Sequence, residues 1–67
     1  MGEYDIFTGS GPCMLDAAQN LAANIRTFHE RHPQVDMHPA GGPVIMREAD
    51  VVFAVQAFMV QWDGDKH

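Results

Sequence analysis

The stretch VVFAVQAFMVQW, residues 51–62, is the most apolar segment of the chain and decides which fold is predicted. No Gly or Pro interrupts the sequence between Val44 and Trp62, a run longer than a typical strand. Gly42-Pro43 precedes this run, and proline suits the first turn of a helix. The pattern therefore predicts a helix over residues 43–62. The alternative is a buried strand, because valine and phenylalanine favour strands.

A first helix is predicted over residues 12–32. Its non-polar and aromatic side chains recur every three or four positions, as they do on one face of a helix. These positions are Met14, Ala18, Leu21, Ile25, Phe28 and His32. Pro12 fits the first turn, and Pro33 ends the helix because it lacks a backbone donor and disfavours helical geometry in the residue before it.

The remaining segments complete a predicted all-α fold, a two-helix hairpin in a single small domain. Residues 1–11 form a short arm, residues 33–42 a linker rich in Pro and Gly, and residues 63–67 a polar tail. Two helices of similar length joined by a linker of this kind form an αα-hairpin.

The predicted second helix has more apolar surface than one neighbouring helix covers, because its apolar side chains surround the helix axis. A chain of 67 residues also has a small core and usually needs a disulfide, a metal or oligomerisation. We therefore expect a homodimeric four-helix bundle. The alternatives are a monomer covered by its arm and linker, and a subunit that pairs with a different chain. The predicted dimer interface consists of Ile45, Val51, Val52, Val55, Phe58 and Met59.

Charge and cysteine content exclude several classes of partner. The formal net charge is −5, and the four basic residues are scattered, so nucleic acid is not expected to bind. The most apolar stretch is shorter than the about 20 residues that a membrane-spanning helix needs. Cys13 is the only cysteine, and the N-terminus lacks the pattern of a secretion signal. These features predict a cytoplasmic protein.

A cluster of potential metal ligands surrounds the predicted linker. His29 and His32 lie one helical turn apart, and imidazoles at that spacing can share a metal ion. Asp36 or His38 would supply a further ligand. Histidines also suit a helix C-terminus, where they satisfy free carbonyl groups. Metal binding by these residues is therefore the alternative function, and no metal or other cofactor belongs to the preferred one.

The preferred function is a non-enzymatic protein-interaction module that binds, as a dimer, and modulates or inhibits a larger protein. Small phage and bacterial accessory proteins provide the analogy for this class. Cys13 at a helix N-terminus is a weak candidate nucleophile, because a two-helix chain offers little cleft. No small-molecule substrate is evident. The residues predicted to contact the partner are Tyr4, Ile6, Phe7, Met37 and Trp62.

Overall fold

The structure, a computed structural model, describes residues 2–62 and contains four strands and one helix. In chain order these elements are β1 (Gly2–Gly11), α1 (Met14–Arg31), β2 (Val35–Pro39), β3 (Val44–Glu48) and β4 (Val51–Trp62). Strands make up 52% and the helix 30% of the structure, so the predicted all-α hairpin and four-helix bundle are wrong. The predicted tail, residues 63–67, lies outside the described residues.

The long strand β4 is the centre of an antiparallel sheet. β1 pairs with β4 along its full length, from Gly2 opposite Gln61 to Gly11 opposite Val52. β2 and β3 share the other edge of β4 end to end, with β2 opposite residues 58–62 and β3 opposite residues 51–55. The predicted arm is therefore an edge strand, and the predicted linker contains β2.

Residues 51–62 form a strand because apolar side chains occupy both of its faces. Alternate side chains face α1: Val52, Ala54, Gln56, Phe58, Val60 and Trp62. The intervening ones face away from the helix: Val51, Phe53, Val55, Ala57, Met59 and Gln61. A sequence with apolar residues on both faces of a strand also fits a helix that is apolar on all sides. The pattern therefore predicted a helix over residues 43–62, and that prediction is wrong. The β-branched and aromatic residues fit a pleated surface, and strands on both edges satisfy the backbone.

A tight hairpin interrupts the segment that was predicted to be one continuous helix. β3 ends at Glu48 and β4 begins at Val51, which leaves Ala49 and Asp50 as the two turn residues. Ala49 has a φ of 56°, a value that favours glycine over alanine. Pairing between β3 and β4 therefore holds Ala49 in a conformation that alanine does not prefer.

Helix α1 lies close against β1 and β4. A Cβ atom at Gly9 would lie 2.6 Å from the carbonyl oxygen of Ala17 and 2.7 Å from the Cα of Leu21. Glycine is therefore required where the helix crosses β1. The residues buried at this contact are Ala17, Leu21, Val52 and Ala54, with Phe7 and Ile25 packed against them. Met14 and Ala18 of the predicted apolar face are exposed.

The connection between β2 and β3 is held against β4 by backbone and side-chain hydrogen bonds. The backbone N–H of Ala40 donates to the oxygen of Ala57 at 2.9 Å. Gln56, a buried polar residue, donates from Nε2 to the oxygen of Gly41 at 2.9 Å. These bonds allow β2 and β3 to follow one another along the same edge of β4.

Candidate interaction surfaces

The sheet face opposite α1, which we call the open face, carries a group of apolar side chains, some exposed and the central ones, Phe53, Val55 and Ala57, half-buried. Tyr4 and Ile6 of β1 are 66% and 61% exposed. They lie opposite Met59 and Ala57 of β4 in the strand register. The face continues through Phe53, Val55 and Val51 to Val44 and Met46 of β3, which are 55% and 51% exposed. Within the described residues, no helix lies on this side of the sheet.

The residues predicted to form the dimer interface are divided between the two faces of the sheet. Val51, Val55 and Met59 lie on the open face. Val52 is buried beneath α1, and Phe58 is half-buried on the same side. Ile45 is exposed on the helix side of β3. The six residues were predicted from the spacing of a helix. In a strand, where side chains alternate between the two faces, only three of the six lie together.

The predicted partner-binding residues occupy three places. Tyr4 and Ile6 belong to the open face. Phe7 packs edge to face against Phe58, with ring centroids 5.7 Å apart. Trp62 lies 6.2 Å from the ring of Phe28, and its Nε1 donates to the carboxylate of Glu3 at 3.1 Å. Phe7 and Trp62 thus stabilise one end of the helix–sheet contact.

A groove of about 520 Å³ separates α1 from β2. Met37, the last of the predicted partner-binding residues, borders it. The residues that line the groove are Ala22, Ile25, Arg26, His29, Val35, Asp36, Met37, His38 and Phe58. It exists because α1 packs over β1 and the neighbouring side of β4, so the inner side of β2 remains partly uncovered.

The four candidate metal ligands are not gathered into one site. His29 borders the groove on α1, whereas the ring of His32 packs between Phe28 at 4.7 Å and Trp62 at 5.1 Å. Asp36 and His38 are exposed on β2 and line the same groove as His29, so His32 is the candidate that lies apart. Within residues 2–62, no group of three or more His, Cys, Asp or Glu residues is placed to hold a metal ion.

The outer edge of β1 is partly covered by amide side chains of α1. Asn24 donates to the carbonyl oxygen of Thr8 at 2.7 Å, and Asn20 donates to that of Ser10 at 2.6 Å. Backbone groups alternate between the two edges of an antiparallel strand, so Thr8 and Ser10 direct their carbonyls to the same edge. Covering such groups prevents unwanted strand pairing.

Cys13 is the N-cap residue of α1 and is exposed. Its backbone oxygen accepts the first helical hydrogen bond, from the N–H of Ala17 at 3.0 Å. The side chain makes no capping hydrogen bond. Neither of the surfaces described above includes it.

Comparison with known proteins places the chain in no family: no family model, curated protein or solved structure matches it. In the described part of the chain, no helix is long and apolar enough to cross a membrane.

Several residues of these surfaces were not predicted from the sequence to bind a partner or a second copy. Val44 and Met46 join the open face only through the pairing of β3 with β4, whereas Phe53 lies on it by the alternation of side chains along β4. Ile25 and Arg26 border the groove because they flank the buried side of α1. The available signal was the two-residue alternation of β4, which is weak because both of its rows are apolar.

Proposed function

We propose that the protein is an interaction module that forms a homodimer through its open face and, as a dimer, binds and modulates a larger protein. The observation that supports this proposal is the single group of exposed apolar side chains on the sheet face opposite α1. Soluble monomers rarely leave large contiguous apolar patches uncovered.

The dimensions of the open face fit a protein interface. β4 has 12 residues and the sheet is three strands wide along it. The face is therefore about 40 Å long and about 14 Å wide, or roughly 550 Å² as a flat area. Because the side chains project from the sheet, the accessible area of the face is larger than this flat area. It is therefore closer to the area of about 800 Å² per partner that a stable interface buries.

A second copy of the chain is the occupant that this face suits. Two sheets pack face to face when their inner side chains interdigitate, and a two-fold dimer presents the same patch on both subunits. The charged open-face residues Asp36 and Glu48 lie at opposite ends of the sheet. The centre, around Ile6, Val55 and Ala57, carries no charge, so self-association buries no unpaired ion there.

Sedimentation equilibrium of Ile6→Asp tests this proposal. Ile6 is 61% exposed, so the monomer fold should tolerate the change, whereas an aspartate in a dimer interface would be an unpaired buried charge. We expect about twice the chain mass for the unmodified protein at micromolar concentration, and the monomer mass for the variant.

Leu15→Asp is the matched control, because Leu15 is 64% exposed on α1 and lies outside the open face. This variant should remain a dimer. If Ile6→Asp disturbs the circular dichroism spectrum, Ile6→Thr provides the test, because threonine keeps the β-branched shape. A monomeric unmodified protein, or folded dimers in both Ile6 variants, would contradict the proposal.

A further inference from the structure

The groove between α1 and β2 combines an apolar floor with polar side chains at its rim. Its apolar part is formed by Ile25 of α1, Met37 of β2 and Phe58 of β4, all half-buried, with Val35 buried beneath them. A volume of about 520 Å³ lies within the range of small-molecule sites, which are mostly apolar with a few polar groups that orient the ligand. The groove is on the opposite side of the sheet from the open face.

The polar groups on the helix side of the groove are cationic or hydrogen-bond donors. Arg26 and His29 are three positions apart on α1, so their side chains are neighbours on the same side of the helix. The chain has four basic residues and nine acidic ones, and one of the four borders this groove. Arginine binds carboxylates with two parallel hydrogen bonds, and a neutral or protonated imidazole supplies a further N–H donor.

The acidic residue at the groove belongs to the opposite face of the sheet. Val35 is buried on the helix side of β2, and side chains alternate along a strand, so the carboxylate of Asp36 is directed to the open face. By the same alternation, the side chain of His38 is also directed to the open face. Both residues nevertheless line the groove, so Asp36 is an acidic group at its rim, and Arg26 and His29 are the polar side chains that α1 contributes.

We propose that this groove binds a small amphipathic carboxylate. The apolar tail of the ligand lies on Ile25, Met37 and Phe58, and its carboxylate accepts hydrogen bonds from Arg26 and His29. This site is separate from the dimer surface proposed above. It places ligand binding on the side of the molecule that remains accessible when the open faces pair.

Decanoate is the probe, and decylammonium is its control, because the two share an alkyl chain and differ in the sign of the head group. We expect decanoate, titrated below its micellar concentration, to shift the NMR signals of the Met37 and Ile25 methyl groups saturably. Decylammonium should bind at least about tenfold more weakly, the difference expected for a lost charge-assisted pair. Equal binding of both probes, or no saturable shift, would overturn the proposal.

Arg26→Gln should weaken decanoate binding about tenfold, whereas Arg31→Gln, a matched change in the last turn of α1 outside the groove, should leave it unchanged. A second variant, Met37→Gln, keeps the side-chain length and should weaken binding of the tail. If neither variant alters the affinity, or if decanoate shifts only Val51 and Val55, the groove is not the site. Ile6→Asp should retain decanoate binding, so failure of the dimer proposal and failure of this one are distinguishable.

Discussion

At the scale of single residues, the helix–sheet contact depends on the absence of a side chain at Gly9. The backbone of α1 at Ala17 and Leu21 occupies the space that a Cβ atom would need. Ala17 and Ala54 are also small and buried at the same contact. A side chain added at Gly9 would displace the surrounding atoms, because protein interiors have few voids.

Gly9→Ala is therefore expected to destabilise the fold by about 1–3 kcal/mol, the usual cost of overpacking. Urea denaturation followed by circular dichroism measures this loss. Gly42→Ala is the matched control, because no atom lies within 4 Å of a Cβ built at Gly42. If both variants unfold at the urea concentration of the unmodified protein, α1 does not approach β1 as closely as described.

At the scale of secondary-structure elements, the edge strand β1 is protected where α1 supplies amide donors. Asn24→Leu should remove the hydrogen bond to Thr8 and cost about 1 kcal/mol. It should also leave the Thr8 carbonyl free on the edge, where another strand can pair with it. We expect a lower urea midpoint and increased light scattering at high concentration.

Gln19→Leu controls for the added apolar surface, because Gln19 is also exposed on α1 and the change likewise replaces an amide by a leucine side chain. This variant should keep the urea midpoint and scatter less light than Asn24→Leu. Equal scattering by the two variants would assign the effect to surface hydrophobicity and not to the uncovered edge.

At the scale of the whole molecule, the chain is a thin two-layer structure with extents of 48 × 20 × 14 Å. The helix covers one side of the sheet, and every residue of β3 is exposed. A core of this size supports limited stability by itself. Pairing of the open faces would bury the uncovered side of the sheet and couple folding to association.

This coupling predicts that thermal stability depends on protein concentration. A hundredfold increase in concentration should raise the Tm by about 5–10 °C, because association favours the folded dimer. Differential scanning calorimetry across that range measures the shift. Ile6→Asp should show a lower Tm that does not change with concentration, and a concentration-independent Tm in the unmodified protein would contradict the dimer.

The position of α1 and the apolar character of residues 51–62 could be predicted from the sequence. The helix Met14–Arg31 lies inside the predicted range of 12–32. Its end before Pro33 follows the prediction, whereas Pro12 precedes the N-cap residue Cys13 and is not in the first turn, where it was predicted. Its buried face was predicted less well. Ala17 is buried and Met14 exposed, because the close approach at Gly9 selects small side chains for the contact.

The strand at residues 51–62 was decided by tertiary structure. In this segment both alternating rows of side chains are hydrophobic, so the sequence pattern fits a helix and a strand equally well. What separates them is the presence of partners: β1 on one edge of β4, and β2 and β3 on the other, satisfy its backbone groups. Those partners are up to about 60 positions away in sequence, as in the pairing of Gly2 with Gln61, so only the folded chain brings the hydrogen bonds and the open face together.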